Sequence, residues 1–554
     1  MVVMRRIWAS LWQHPGHLIW IALAYFPFLG MMSVPLTGDQ KVYLSTAMEM
    51  RQTGNWLRPM LFGETSYYKP PLQYWTTLLG WKIFGFNLWG ALIPSALCVV
   101  LTAWFIGEIA RILHGRRAFV NAGLWFAAAL GTATYGFTAQ MEIYLVLFYA
   151  AAWWAGLRFL TSTHEVTGHR NFNWLYLAFV IAGLAALVKS PLYSVLWVVG
   201  FFTYLIISGE WDIFRDKRLY IAWVAGIIAG SSWFIAVLMV DGQRFWSDYV
   251  LREQLKKVPN GGGPLSLWAA LLYFCIPFTL LILPGLRTIW KRRRSEKIKR
   301  FIISWVWAPA LFFSVYPYRI KPYLYPLLPM MTLIVDLGYL MEGRSRSYRI
   351  TTILSGILML VLTGGLAVVL GRAELVPYWI LAGFILVGCL SVVSAVKDWM
   401  RGLALCALAG VFFFHAASVS LGEADIAGFR RVVEERPTAE VAMLDESRNI
   451  WHEVGLLSVA IGKPISRLVN LDQIADFLQA GGLIVLTEDQ LNDNERSIEA
   501  KLMGRGDLRN VEVLSWQRWR VRSKFPFKEL ILHGKRDLPN LDADLHREFK
   551  IIYL

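Results

Sequence analysis

Tyr68-Lys69-Pro70-Pro71-Leu72-Gln73-Tyr74-Trp75-Thr76-Thr77-Leu78-Leu79-Gly80-Trp81-Lys82-Ile83-Phe84-Gly85 is the stretch whose reading decides the fold. Its two prolines suit the first turn of a helix, where a missing N–H costs nothing, and Gly85 suits the end. The residues between are apolar enough to be taken for a membrane span. If they crossed, every later loop would change sides and the basic runs would face outward, against the concentration of Lys and Arg in cytoplasmic loops. The segment is also short of the roughly 20 residues that a spanning helix needs, and Gln73, Thr76 and Thr77 interrupt it. It therefore reads as a surface helix that closes an outer loop, residues 36–87.

Outward from that loop the chain reads as a polytopic α-helical membrane protein. Hydrophobic residues make up 56% of its 554 positions, with 26 Trp, and apolar runs recur as far as about residue 421. Thirteen spans fit best, at about 17–35, 88–110, 119–137, 143–160, 173–188, 191–208, 219–240, 265–286, 301–317, 322–341, 350–370, 377–396 and 402–421. With the N-terminus inside, the loops carrying Arg111/Arg116/Arg117, Arg215/Lys217/Arg218, Arg287 to Arg300, Arg344/Arg346/Arg349 and Lys397/Arg401 are all cytoplasmic and all basic. The loops 36–87 and 241–264, the corner 317–323 and everything after 421 then lie outside. The apolar run from His17 lacks a small-residue cleavage site and reads as a retained first helix.

A net charge of +16 could point to nucleic acid, but its distribution argues otherwise. Residues 422–554 hold 19 Lys/Arg and 22 Asp/Glu, so the tail is about −3 and the membrane part about +19. That surplus, Lys291-Arg292-Arg293-Arg294 included, sits in short loops on one side, so it is a topology signal and no nucleic-acid partner is expected. Cys98, Cys275, Cys389 and Cys406 all lie in apolar segments without metal-type spacing. Two domains follow: a membrane domain over 1–421 and an outer, periplasmic domain over 422–554. In the latter, Glu440–Leu444, Ile465–Val469, Leu483–Leu486 and Val511–Trp516 read as strands, and Ile450–Ile461, Leu471–Leu478 and Asn492–Leu502 as helices, an α/β alternation.

The outer loop is predicted to form two helices parallel to the membrane surface. Val42, Tyr43, Ala47, Met48 and Met50 recur at roughly helical spacing, and Gly54 and Pro59 end that first piece before the Pro70-Pro71 helix begins. Asp39 stands just beyond the first span, where it could cap a helix or meet a substrate. Glu142, in Ala139-Gln140-Met141-Glu142, opens the fourth span at its outer edge, where it is either solvated or catalytic. Lys69 precedes the two prolines, Lys189 sits in Val188-Lys189-Ser190-Pro191 between two spans, and Arg319 and Lys321 flank Ile320 with no acid between them. Two such cations beside a membrane suit an anionic ligand better than each other.

These motifs resemble the polyprenyl-phosphate-dependent glycosyltransferases of GT-C fold, a group that includes lipid A aminoarabinose transferases and protein O-mannosyltransferases. The resemblance covers about residues 15–345 with motif support: Gly38-Asp39, Lys69-Pro70-Pro71, Glu142 where an Asp is usual, Lys189-Ser190-Pro191 in place of Lys-Gly-Pro, and Arg319 to Tyr323. It implies a sugar donor on a polyprenyl phosphate, with a lipid A phosphate, another envelope glycan or a protein hydroxyl as acceptor, and membrane lipids as surroundings. Asp39 and Glu142 would be the catalytic carboxylates. Lys69, Lys189, Arg252, Lys257, Arg319 and Lys321 would hold the donor phosphate, and Tyr43, Tyr68, Tyr74 and Tyr323 would line the acceptor or lipid groove. Three departures matter. Gln40 replaces the second acid of an acidic pair, Tyr68 stands where aminoarabinose transferases have Glu, and Gln254 stands where they have His. Losing that Glu and His removes a metal contact, so neither metal nor cofactor is expected and the aminoarabinose substrate is in doubt. A non-enzymatic transporter or lipid-linked glycan binding protein is the rival reading, since proline-broken spans serve it too.

Overall fold

A computed structural model describes residues 16–29, 38–115 except 62, 119–162, 170–255, 263–342, 345–372, 376–444, 457–468 except 460, 472–487, 512–519 and 546–553. Among these, eight helices are long and apolar enough to cross a membrane: Leu88–His114, Met141–Thr161, Lys217–Arg252, Glu296–Val315, Lys321–Met341, Arg346–Arg372, Tyr378–Val396 and Met400–Ser420. Pro264–Phe274 and Thr279–Lys291, bent by 100° between them, make a ninth if counted as one. The four remaining expected spans are helical but shorter or broken. Gly16–Tyr25, Asn173–Leu187 and Pro191–Ile207 are short apolar helices, and 119–137 is divided at Ala129 into Phe119–Ala128 and Leu130–Tyr135. All thirteen expected spans thus coincide with helix among the described residues, and apolar composition persists through breaks that the backbone makes at Ala129 and around Lys189.

The stretch that opened the reading is a helix, Leu72–Phe84, of 13 residues. At 1.5 Å per residue it is about 20 Å long, short of a roughly 30 Å hydrocarbon core. It packs on Leu88–His114 through glycine: a Cβ on Gly80 would lie 2.0 Å from the carbonyl oxygen of Gly90. The two backbones touch, as small residues allow between membrane helices. The first helix of this loop is Gly38–Thr53, and a short hairpin of β1 (Met60–Leu61) and β2 (Glu64–Thr65) separates the two helices. The expected outer loop 241–264 begins as helix instead. Lys217–Phe245 is kinked at Asp241 (φ −144°, ψ 45°) and continues as a π-helix, Trp246–Leu255.

The last membrane helix, Met400–Glu435, is 36 residues long and runs without a break past residue 421. Its C-terminal end buries Phe429, Val432 and Val433 in one continuous core with Val441, Met443, Leu457 and Val459. Beyond it lies a five-stranded sheet in the order β4-β3-β5-β7-β6, with β3 (Val441–Leu444), β4 (Ile465–Leu468), β5 (Leu483–Thr487), β6 (Glu512–Trp519) and β7 (His546–Tyr553). β3 pairs parallel with β4 and β5, and β7 pairs antiparallel with β5 and β6. The helix Asp472–Gln479 connects β4 to β5. Four strands fall where the sequence places them. β7 is additional, and the helix expected at 492–502 lies outside the described residues.

Candidate active site

Glu142 occupies the first turn of Met141–Thr161, where the positive end of the helix dipole favours a carboxylate. The chain around Lys189 leaves one helix and enters another: a 3-10 turn, Ala185–Leu187, ends the first, and Ser190 caps the second by accepting from the Leu192 N–H, with Pro191 in its first turn. This break turns Lys189 inward. Its Nζ donates to Glu142 Oε1 at 2.7 Å, and the two side chains are only 8% and 7% exposed. Lys189 is therefore the partner of Glu142, and both line the cavity described below. Its Nζ also stands 5.7 Å from the centre of the Tyr323 ring.

Pro70 and Pro71 stop the preceding segment from continuing as helix, so Tyr68 and Lys69 reach the same space from the loop side. Lys69 Nζ lies 3.6 Å above the Tyr68 ring, a cation–π contact. Asp39, in the first turn of Gly38–Thr53, is exposed, and Tyr43 lies one turn further along, 2% exposed. The Tyr43 ring meets Tyr74 edge to face at 6.1 Å. Burial, and then the charges of Asp39 and Glu142, push the Tyr43 phenol well above its usual pKa. It stays protonated, so beside these carboxylates it can serve as a hydrogen-bond donor.

Asp39, Tyr43, Tyr68, Lys69, Glu142, Lys189 and Tyr323 line one cavity of about 680 Å³, open solvent included. Two carboxylates face two ammonium groups there, so the unliganded site is close to neutral. Tyr193, Tyr316 and Tyr318 complete its wall. Sequence reading passed over these three, although Tyr193 follows Pro191 by two positions and Tyr316-Pro317-Tyr318 runs directly into Arg319. Tyr316 also borders an apolar groove between Pro191–Ile207 and Glu296–Val315, lined by Leu196, Val199, Trp307, Leu311 and Val315.

The other expected residues lie elsewhere. Tyr74 is packed behind Tyr43, 1% exposed. Arg252 is 71% exposed on the π-helix and lies 4.0 Å from Asp248, and it is not among the residues that line the cavity. Lys257 lies outside the described residues. Arg319 and Lys321 flank Ile320, which does line the cavity; Arg319 donates to the Ser314 carbonyl at 3.1 Å and Lys321 is exposed.

This packing, a helical membrane domain with a cavity beside the helices Gly38–Thr53 and Leu72–Phe84 and an α/β sheet beyond the last span, is the GT-C fold. The chain is similar to polyprenyl-phosphate-dependent GT-C glycosyltransferases. The family model described as dolichyl-phosphate-mannose-protein mannosyltransferase matches residues 68–235, a segment that includes Lys69, Glu142 and Lys189. An undecaprenyl phosphate-alpha-4-amino-4-deoxy-L-arabinose arabinosyl transferase of Pseudomonas savastanoi pv. phaseolicola is 26% identical over 350 residues, 61% of this chain and 63% of that one. A second such transferase, from Pseudomonas fluorescens, is 28% identical over 349 residues, 60% of each chain. The chain thus spans about three fifths of the length of these relatives. The crystal structure of ArnT from Cupriavidus metallidurans bound to undecaprenyl phosphate superposes with a TM-score of 0.69 at 16% identity, covering 87% of this chain and 94% of that one. Its apo state gives 0.68.

Proposed function

We propose that the chain transfers a sugar from a polyprenyl-phosphate donor to an envelope acceptor at the outer, periplasmic face of the inner membrane. The observation that carries this reading is the meeting of Asp39, Lys69, Glu142 and Lys189, from four separate segments, in one cavity beside an apolar groove. A donor with a charged phosphate and a long isoprenoid tail needs that combination. The relatives named for undecaprenyl phosphate-linked aminoarabinose support the donor class.

In this reading the acceptor hydroxyl oxygen attacks the anomeric carbon while the bond from that carbon to the phosphate oxygen breaks. Asp39, the exposed carboxylate, takes the hydroxyl proton as general base. Charge grows on the departing polyprenyl phosphate, and Lys69 is placed to stabilise it, a transition-state interaction of the kind that contributes most to rate. Glu142, held by Lys189, orients the acceptor and Tyr43. Attack opposite the leaving phosphate inverts the anomeric centre. The acceptor oxygen belongs to a hydroxyl of an envelope glycan or protein, or to a lipid A phosphate, in which case a phosphate oxygen attacks and Asp39 takes the proton of the phosphate monoanion. Mass spectrometry of lipid, glycan and glycoprotein fractions from a strain lacking the gene tests the reading: loss of one sugar substituent supports it, and an unchanged profile in all three refutes it.

A further inference from the structure

We infer that Asp241 is a positioning residue for the phosphate end of the donor, acting through Tyr67 on the segment that carries Lys69. The inference rests on the donor reading above. Among the described residues of 54–68 the secondary structure is a hairpin with two residues in each strand, too little to hold itself in place. The far end of the helix Lys217–Phe245, more than 170 residues on, holds the segment together with the Trp75 indole, which donates to the Trp56 carbonyl at 2.7 Å, and Glu49, which accepts from the Gly63 N–H at 2.9 Å. Tyr67 Oη donates to Asp241 Oδ2 at 3.0 Å, and Trp233 Nε1 donates to the Leu57 carbonyl at 2.8 Å. Arg244 adds a pair with Glu64 at 2.7 Å, but Glu64 is 70% exposed and that contact is screened.

Tyr67 is the fixed point of this attachment. It is 1% exposed, with its ring edge-on to Phe245 at 5.3 Å and 6.2 Å from Trp233. Tyr68 and Lys69, the next two residues, both line the cavity. Successive Cα atoms are 3.8 Å apart, so the lysine Cα can be no more than about 8 Å from that of the anchored tyrosine. The same aromatic cluster contains Leu187, two residues before Lys189. One cluster therefore anchors the approach to both cavity lysines, and Asp241 accepts the hydrogen bond of its loop tyrosine. Asp241 itself sits at the break in helical geometry, with φ −144° and ψ 45°.

The test uses the full chain in lipid nanodiscs with undecaprenyl phosphate, without sugar, as probe. Tyr67→Phe and Asp241→Ala are each expected to weaken its binding about three- to tenfold, part of what a hydrogen bond to a charged group is worth. Asp241→Asn keeps an acceptor oxygen and is expected to bind nearly as wild type. Because the latch acts through Lys69, Tyr67→Phe added to Lys69→Ala is expected to cause no further loss, whereas a merely structural defect would add. Hydrogen exchange in 55–69 is expected to quicken in Tyr67→Phe while Met141–Thr161 exchanges as before. Wild-type binding by Tyr67→Phe, or full additivity with Lys69→Ala, overturns the inference while leaving the donor reading intact. Failure of the wild-type chain to bind undecaprenyl phosphate overturns the donor reading and this coupling together.

Discussion

Lys189→Met removes the cation from the most enclosed ion pair of the cavity and strands the Glu142 carboxylate. At 2.7 Å the attraction is about 6 kcal/mol for an effective dielectric of about 20, but both ions have given up hydration to reach that position. Stranding one member of such a pair costs about 3–5 kcal/mol. The helix N-terminus beneath Glu142 favours its carboxylate in both proteins and so cancels in the difference, which leaves an expected loss of about 3–5 kcal/mol. Glu142→Gln combined with Lys189→Met leaves no unpaired charge and should recover most of the loss. Unfolding midpoints of the three variants and the wild type, in the same detergent, check both statements. A double variant that loses the sum of the two single losses would refute the pairing argument. So would a Lys189→Met protein that is as stable as wild type but loses undecaprenyl phosphate binding as severely as Lys69→Ala, for then Lys189 would be the phosphate ligand that its motif suggested.

Lys69→Ala is expected to weaken undecaprenyl phosphate binding by about 1.5–3 kcal/mol, the worth of one charge-assisted contact, and Lys69→Arg to retain part of it; titration in nanodiscs measures both. Asp39→Asn keeps the size of the side chain but cannot take a proton, so turnover should fall about 10²–10⁴-fold with phosphate binding little changed, and Glu142→Gln should cost less; if Glu142→Gln proves the more damaging, the base is Glu142. A reporter fused after Leu554 should be active only in the periplasm and one fused within 291–299 only in the cytoplasm, and the reverse would move the cavity to the inner face. Gly80→Leu should destabilise the protein by more than the roughly 1–3 kcal/mol of ordinary overpacking, because its Cβ would meet the Gly90 carbonyl oxygen at 2.0 Å and backbone must move. A thermal midpoint equal to wild type would show that the two helices can separate without cost.

The sequence alone determined the membrane class, the basic-loop pattern and the short helix after Pro71, because the bilayer acts on chain segments one at a time. Hydropathy, length and charge are local quantities, and they suffice wherever lipid or water is the partner. The motifs likewise brought Asp39, Lys69, Glu142, Lys189, Tyr43, Tyr68 and Tyr323 to attention, and all seven line the cavity. Tertiary structure decided their relations. Glu142 and Lys189 are 47 positions apart and Tyr67 and Asp241 are 174 apart; no periodicity encodes either pairing, which depends on how helices cross. The same crossing put Tyr74 behind Tyr43, left Arg252 exposed and paired a presumed phosphate lysine with a carboxylate. Which charge is left to meet a substrate follows from which charges have already met each other, and only the packed helices set that.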